Sequence, residues 1–266
     1  MIWIEILINA VLKASDEIKK YYGNSKSLDK VGAGGDIIEE IDKRTEEIII
    51  SYLKESKKSF NIISEEVGSF SIGQNSSDYI VLDPIDGSTN ASRGIPFFCV
   101  SIAHFDGNKI SNLKNAVIYN WITGDIYQAT KNKGSLKNNS RIFCSNKKNL
   151  SEAVIAYDMD PSNLENDYKN LKNILSRCKK IRHMGSAALE LAHVSASNLD
   201  CYIDLRKKLR LVDIAAGMLL VEESGGIIFN EMGDIIDIPL RIESRTSICA
   251  INKYLAEDIK ILLKNK

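Results

Sequence analysis

The chain opens with apolar residues at helical spacing. Ile4, Leu7, Ile8, Val11, Leu12 and Ile18 share one face, and Glu5, Asn9, Lys13 and Asp16 the other. This period predicts an amphipathic first helix. A glycine-bearing loop follows over residues 26–36, with Gly32-Ala33-Gly34-Gly35-Asp36 at its end. Residues 37–57 read as a second helix, with Ile41, Thr45, Ile48 and Tyr52 on a shared face. Asn61-Ile62-Ile63-Ser64 is a short strand running into Glu65-Glu66, and residues 69–78 are polar and loop-like. Tyr79-Ile80-Val81-Leu82 is a compact apolar run, read as a buried strand that stops at Asp83-Pro84. Alternating segments at 99–105, 116–120 and 126–130, with Asp106-Gly107 and Thr123-Gly124 between them, predict an antiparallel meander. Residues 131–150, rich in Lys, Asn and Ser, read as the link between two halves.

The second half begins with a strand at 153–157 and a helix at 164–178. Gly185-Ser186-Ala187-Ala188 opens a further helix to Ser195, and residues 201–205 form a strand. Asp213 is expected to cap a long helix that stops at Gly225-Gly226, and a last helix starts near Tyr254. Strands and helices intermix without a regular βαβ repeat. The expected class is therefore a layered α+β fold, divided at residues 1–140 and 141–266.

Composition narrows the chemistry. Hydrophobic residues are 44% and charged residues 26% of the 266, an ordinary globular mixture. Lys+Arg and Asp+Glu are both 35, so no long-range field draws the chain to nucleic acid or to an anionic membrane. No apolar run reaches the ~18–20 residues of a membrane span, and the first residues lack the basic start of a secretory signal. A cytoplasmic location is expected. The five cysteines are widely spaced with no CxxC, and the three histidines form no HExxH. Whatever reaction occurs must rest on carboxylates and oxygen ligands.

One segment stands out. Asp83-Pro84-Ile85-Asp86-Gly87-Ser88-Thr89 sets two carboxylates three residues apart at the end of a buried strand. Proline fixes the backbone between them, and Gly87 permits an unusual turn. The following N–H groups could hold an anion. Carboxylates beside an anion site repel the anion unless a cation mediates, which is the logic of Mg²⁺ acting on phosphate. On its own the segment also reads as a turn with aspartate caps, Glu65-Glu66 as a solvated acidic pair, and Asp213 as a plain cap.

Taken in order, Glu65-Glu66, then Asp83-Pro84-Ile85-Asp86-Gly87-Ser88, then Val212-Asp213-Ile214-Ala215-Ala216-Gly217 resemble the inositol monophosphatase superfamily. Val212 stands where the family pattern has tryptophan. The resemblance implies an α-β-α-β-α sandwich. It also implies a phosphomonoesterase using two or three Mg²⁺ ions per subunit. Carried over by motif, Glu65, Asp83 and the Ile85 carbonyl would hold the first ion, and Asp83, Asp86 and Asp213 the second. Glu65 would hold a third, with Asp42 as a further candidate. The first half would thus carry most of the metal ligands and the second the last ligand and the substrate side. The catalytic set would be Asp42, Glu65 and Ser88, with Asp42 and Ser88 orienting the attacking water. Asp42 reads equally well as a helix-surface acid near Lys43 and Glu46. The substrate set would be Asp86, Gly87, Ser88, Arg182, Gly185, Ser186, Ala187 and Arg206.

The glycine loop and Asp204-Leu205-Arg206 look closer to the archaeal branch, which acts on inositol 1-phosphate and fructose 1,6-bisphosphate. That branch usually carries an acid where this chain has Gly34. The basic run Arg206-Lys207-Lys208-Leu209-Arg210 could meet a second phosphate or be a solvated loop. Two alternatives stay open: a 3′-phosphoadenosine 5′-phosphate phosphatase, and a non-catalytic transcription-associated binding protein. The resemblance implies a small-molecule ester as partner, neither nucleic acid nor membrane, and a homodimer.

Overall fold

The N-terminal amphipathic pattern forms α1 (Trp3–Ile18), which buries Leu7, Ala10, Val11 and Ala14. It packs against α2 (Glu40–Glu55), which buries Ile41, Ile49 and Leu53. The structure is a computed structural model that describes residues 2–35 and 37–264. Asp36 of the glycine loop lies outside the described residues. Between the two helices, β1 (Ser27–Val31) and β2 (Ile37–Glu39) pair antiparallel. The expected loop is thus partly a hairpin, and the second helix starts three residues late. Its start is fixed chemically: Glu39 is extended, and its N–H donates to Asp42 Oδ2 at 3.0 Å.

The first sheet contains β3 (Phe60–Ser64), β4 (Gly68–Ile72), β5 (Tyr79–Asp86), β6 (Cys99–Phe105), β7 (Leu113–Asn120), β8 (Ile126–Thr130), β9 (Gly134–Lys137) and β10 (Ser140–Arg141). Its order is β10-β9-β8-β7-β6-β5-β3-β4. The meander expected over β6, β7 and β8 is antiparallel, and β5, β9 and β10 extend it, while β3 runs parallel to β5. Short α3 (Ser88–Arg93) follows β5 directly. Residues 68–72, read as loop, form the edge strand against β3. Residues 134–141, read as part of a link, extend the sheet.

In the second half, β11 (Val154–Asp158), α4 (Leu164–Leu175), β12 (Lys180–Arg182) and α5 (Ala187–Ser195) lead to β13 (Cys201–Arg210) and α6 (Leu211–Glu223). The chain closes with β14 (Gly226–Phe229), β15 (Arg245–Asn252) and α7 (Ala256–Lys264). The second sheet has the order β12-β11-β13-β15-β14. Here β13 runs on past residue 205, the expected end of the strand, through the basic segment. It does so over a bulge between Asp204 and Leu209, where Lys207 takes φ +60°.

Strand alternation sets the layers. In β6, Cys99, Ala103 and Phe105 face α5 and α6, whereas Val100 and Ile102 face α1 and α2. In β13 and β15, Tyr202, Ile248 and Ala250 face the same α5/α6 layer, and Cys201, Ile203, Cys249 and Ile251 face α4 and α7. The result is the expected α-β-α-β-α sandwich, with α5 and α6 as the shared middle. No helix among the described residues is long and apolar enough to cross a membrane.

The middle layer depends on close approach. A Cβ on Gly217 of α6 would lie 2.5 Å from Leu191 Cβ of α5. Helix propensity alone favours Gly217→Ala by about 1 kcal/mol. We expect this clash to reverse that gain and Gly217→Val to cost about 1–3 kcal/mol or more. Denaturant unfolding measures both; a more stable Gly217→Ala would contradict the packing.

Candidate active site

Strand β5 carries the chain out of the core at Asp83. Its pairing with β6 is irregular between Asp83 and Asp86, so the two carboxylates are re-aimed. Asp83 is fully buried, and its Oδ1 accepts the N–H of Ile85 at 3.0 Å. Its Oδ2 is buried with no hydrogen-bond partner. Asp86 Oδ2 accepts from Ser186 Oγ at 2.6 Å and from the N–H of Ala188 at 2.7 Å. Gly87 then takes φ +96°, and a Cβ there would stand 3.2 Å from the carbonyls of Gly185 and Phe97. Only glycine fits this conformation and this space. Ser88 donates its hydroxyl to the Ile85 carbonyl at 3.0 Å.

The other acids arrive from three elements. Glu65 follows β3, and Asp213 is the third residue of α6, one turn inside the position expected to cap it. Arg210 holds the cap position instead, and its N–H donates to Asp213 Oδ2 at 2.7 Å. The Arg210 guanidinium reaches Asp213 Oδ1 at 2.9 Å and Glu65 Oε1 at 2.6 Å. Gly34 makes room for it: a Cβ there would be 2.6 Å from Arg210 Nη1. Asp42 sits in the first turn of α2 and is only 2% exposed, so the helix-surface reading does not hold. Glu46, one turn on, is 1% exposed. It accepts from the Ser64 hydroxyl and from the N–H groups of Glu66 and Val67, both at 3.3 Å, and so fixes the turn that presents Glu65.

Seven of the expected residues line one cleft of about 520 Å³: Glu65, Asp83, Ile85, Asp86, Gly87, Ser88 and Gly185. Asp42 and Asp213 are not part of that lining, but Asp42 feels the charge of Glu65 and Asp213 is paired with Arg210, and Glu65 and Arg210 both line the cleft. Ser186 and Ala187 are almost fully buried, and the Ser186 hydroxyl is committed to Asp86. It orients a carboxylate rather than facing a ligand. Arg182 lies exposed on edge strand β12 and donates to the Ile181 carbonyl, and it is not part of the cleft wall. Arg206 is also outside that wall. It binds Asp204 through Nε at 3.0 Å and Nη2 at 2.5 Å, and reaches Asp158 at 3.3 Å. The basic residue among the acids is Arg210, which the sequence reading passed over together with Glu46. The signals were present: Arg210 precedes Asp213 by three residues and Glu46 follows Asp42 by four, so each shares a face with an assigned acid.

Burial is the first cause of the unusual acidities. It pushes Asp42 up to about 8, with the Glu65 charge adding to it. It pushes Asp86 up to about 7 against the Ser186 hydrogen bond, and raises Asp83 and Glu65. Burial opposes the charge on Arg210, but Asp213 and Glu65 outweigh it and raise its proton affinity. In the metal-free protein Asp42 therefore binds its proton more tightly folded than unfolded. Its share of stability is complete below the unfolded value of about 4 and is lost as pH rises toward 8. In EDTA, we expect the unfolding midpoint of the native chain to fall more between pH 5 and 8 than that of Asp42→Asn. Parallel curves would contradict the burial of this carboxyl.

The geometry can be set beside known proteins. The family model described as "Inositol monophosphatase family" matches residues 3–264. A fructose-1,6-bisphosphatase/inositol-1-monophosphatase of Thermococcus kodakarensis is 33% identical, over 99% of this chain and 98% of its own. A bifunctional NADP phosphatase/NAD kinase of Methanococcus maripaludis is 32% identical over 99% of this chain, which spans 49% of that longer protein. The crystal structure of extragenic suppressor protein SuhB from Bartonella henselae superimposes with a TM-score of 0.86 at 31% identity, covering 98% of this chain and 97% of its own. The order of the acidic segments, the layered fold and a match across nearly the whole length agree: the chain belongs to the inositol monophosphatase family.

Proposed function

We propose that the protein is a Mg²⁺-dependent phosphomonoesterase for small polyol or sugar phosphates, with inositol 1-phosphate and fructose 1,6-bisphosphate as its substrate class. The observation that carries this reading is the convergence of buried acids on one cleft with a single arginine among them. Glu65, Asp83, Asp86 and Asp213 bring more negative charge than Arg210 offsets, and Asp83 Oδ2 is buried without a partner. Among the described residues, no three His, Cys, Asp or Glu side chains stand in an arrangement that would hold a metal ion as they are. The donor set itself fits a hard divalent cation: carboxylate oxygens, a backbone carbonyl at Ile85, and no thiolate or imidazole in the cleft. Glu65, Asp83, Ile85, Asp86 and Asp213 would hold such ions. When bound, they supply charge neutralisation for a phosphate dianion and a lower pKa for water.

The chain's own groups do the rest. The N–H groups at Gly87 and Ser88, turned to one side by the left-handed glycine, receive phosphate oxygens. Asp42, with the Ser88 hydroxyl within its hydrogen-bonding reach, orients the attacking water and takes its proton. Gly185 forms the wall beside which the alcohol part of the ester lies. The polar lining suits a hydrophilic ester rather than an aromatic one. The relatives' names extend the panel of esters worth testing to NADP, and 3′-phosphoadenosine 5′-phosphate remains the alternative from sequence. We further propose that the protein acts as a homodimer in the cytoplasm.

Asp213→Asn and Asp86→Asn should each abolish turnover with the fold intact by circular dichroism, because each removes a ligand charge. EDTA should stop turnover and Mg²⁺ restore it. Turnover that persists through EDTA treatment, or an Asp213→Asn variant with native rate at limiting Mg²⁺, would sink the metal assignment.

The ion pairs of Arg206 change what its removal should do. Asp204 is fully buried, so Arg206→Ala strands its charge. We expect a loss of roughly 2–4 kcal/mol in stability and little change in preference between inositol 1-phosphate and fructose 1,6-bisphosphate. A KM that rises for the bisphosphate alone would return Arg206 to the substrate.

A further inference from the structure

Met184 leads into Gly185, which lines the cleft beside Gly87, and two buried polar side chains hold the peptide groups on either side of Met184. Asn90 of α3 is 9% exposed, and its Nδ2 donates to the carbonyls of Met184 and Phe97, each at 2.7 Å. Glu190 of α5 is fully buried, and its Oε1 accepts the N–H of Met184 at 3.2 Å. One residue comes from the first half of the chain and the other from the second. Between them, both polar groups that Met184 offers are tied. Gly185 itself takes φ +78° and lines the cleft. Its carbonyl packs 3.2 Å from where a Cβ on Gly87 would stand, so the wall and the phosphate-side turn touch with no slack.

We propose that Asn90 and Glu190 are positioning residues that clamp the Met184 peptide, fixing the wall against which the alcohol part of the phosphate ester is oriented. This rests on the phosphatase reading above. Neither side chain belongs to the set assigned to metal. On the same helix, Ser186 and Ala188 fasten the start of α5 to Asp86. The loop ahead of that helix would still be free to drift, and Asn90 and Glu190 remove that freedom.

The choice of a carboxyl at position 190 is otherwise hard to explain. An apolar residue would be cheaper to bury at this fully covered position of α5. Burial, followed by the charges of Asp158, Asp86 and Asp204, raises the proton affinity of Glu190 well above the ordinary value. A neutral carboxyl still accepts the Met184 N–H, and glutamine at this position can do the same.

The test uses the full chain with inositol 1-phosphate as substrate, and Asn90→Ala, Glu190→Leu, Glu190→Gln and the double variant Asn90→Ala/Glu190→Leu. Loss of either tether should raise KM about five- to tenfold, with kcat and Mg²⁺ affinity within about twofold of native. Glu190→Gln should behave as native. The double variant should raise KM by less than the product of the two single effects, because both tethers act on the one residue Met184. Amide exchange at Met184, followed by mass spectrometry, should accelerate in Asn90→Ala and Glu190→Leu but not in Glu190→Gln. If Glu190→Leu does not fold, Asn90→Ala and Glu190→Gln carry the test. Unchanged Met184 exchange in Asn90→Ala, a Glu190→Gln that loses as much as Glu190→Leu, or a fall in kcat at constant KM would each overturn the clamp. A native protein that hydrolyses no phosphate ester would sink the phosphatase reading, while Met184 exchange would still decide whether the clamp exists.

Discussion

The structure is organised around carboxylates held out of water at one point. Asp42, Glu65, Asp83, Asp86 and Asp213 are each less than a tenth exposed, and they come from four separate segments. Buried charge of one sign is unfavourable unless it is bonded, paired or protonated. Each acid here is met in a different way. Asp86 has Ser186 and Ala188, Asp42 has the N–H of Glu39, and Glu65 and Asp213 share Arg210. Asp83 keeps one oxygen unmet. That residual demand for positive charge is what a divalent cation would satisfy.

The layered fold is what makes such a gathering possible. The first sheet delivers Glu65, Asp83 and Asp86 from the ends of neighbouring strands β3 and β5. The middle helices deliver Asp213 from the start of α6, and the start of α5 holds Asp86. Because α5 and α6 pack against both sheets, the second half of the chain is locked to the first at the acids themselves. Gly217 lets those helices approach, and Gly87 lets the turn after Asp86 approach α5.

Much of this was legible in the sequence, for reasons that differ by element. The Tyr79-to-Leu82 run announces a buried strand because both faces are covered, so apolar residues follow one another without interruption, whereas the 99–105 segment was read from its alternation and the turn signal after it. Asp83 and Asp86 stood out because Asp-Pro and Gly mark an unusual turn at a strand end, whereas Glu65 and Asp213 were singled out only by the order of motifs that resembles the family. What escaped notice was polar but buried. Glu46 looks like a helix-surface charge until the turn at Glu65 folds over it. Arg210 belonged to a basic run that reads as solvated loop, yet the bulge at Lys207 carries the strand on and turns Arg210 toward Glu65. The ion pairs of Arg206 were also hidden, because its partners Asp204 and Asp158 meet only across the parallel pairing of β11 and β13. Residues 134–141 looked like a link because lysine and asparagine hide the strand period, whereas Ser135 and Glu223 tie them to α6.

The central claim is that the buried acids around Asp83 form a cation site. The most direct measurement is the anomalous difference density of crystals grown with Mn²⁺, an ion of the same hard-oxygen preference as Mg²⁺. The account predicts strong peaks within coordination distance of Asp83 Oδ2 and of the carboxylates of Glu65, Asp86 and Asp213. Anomalous density confined to surface acids, with Asp83 Oδ2 still unmet at saturating Mn²⁺, would contradict it.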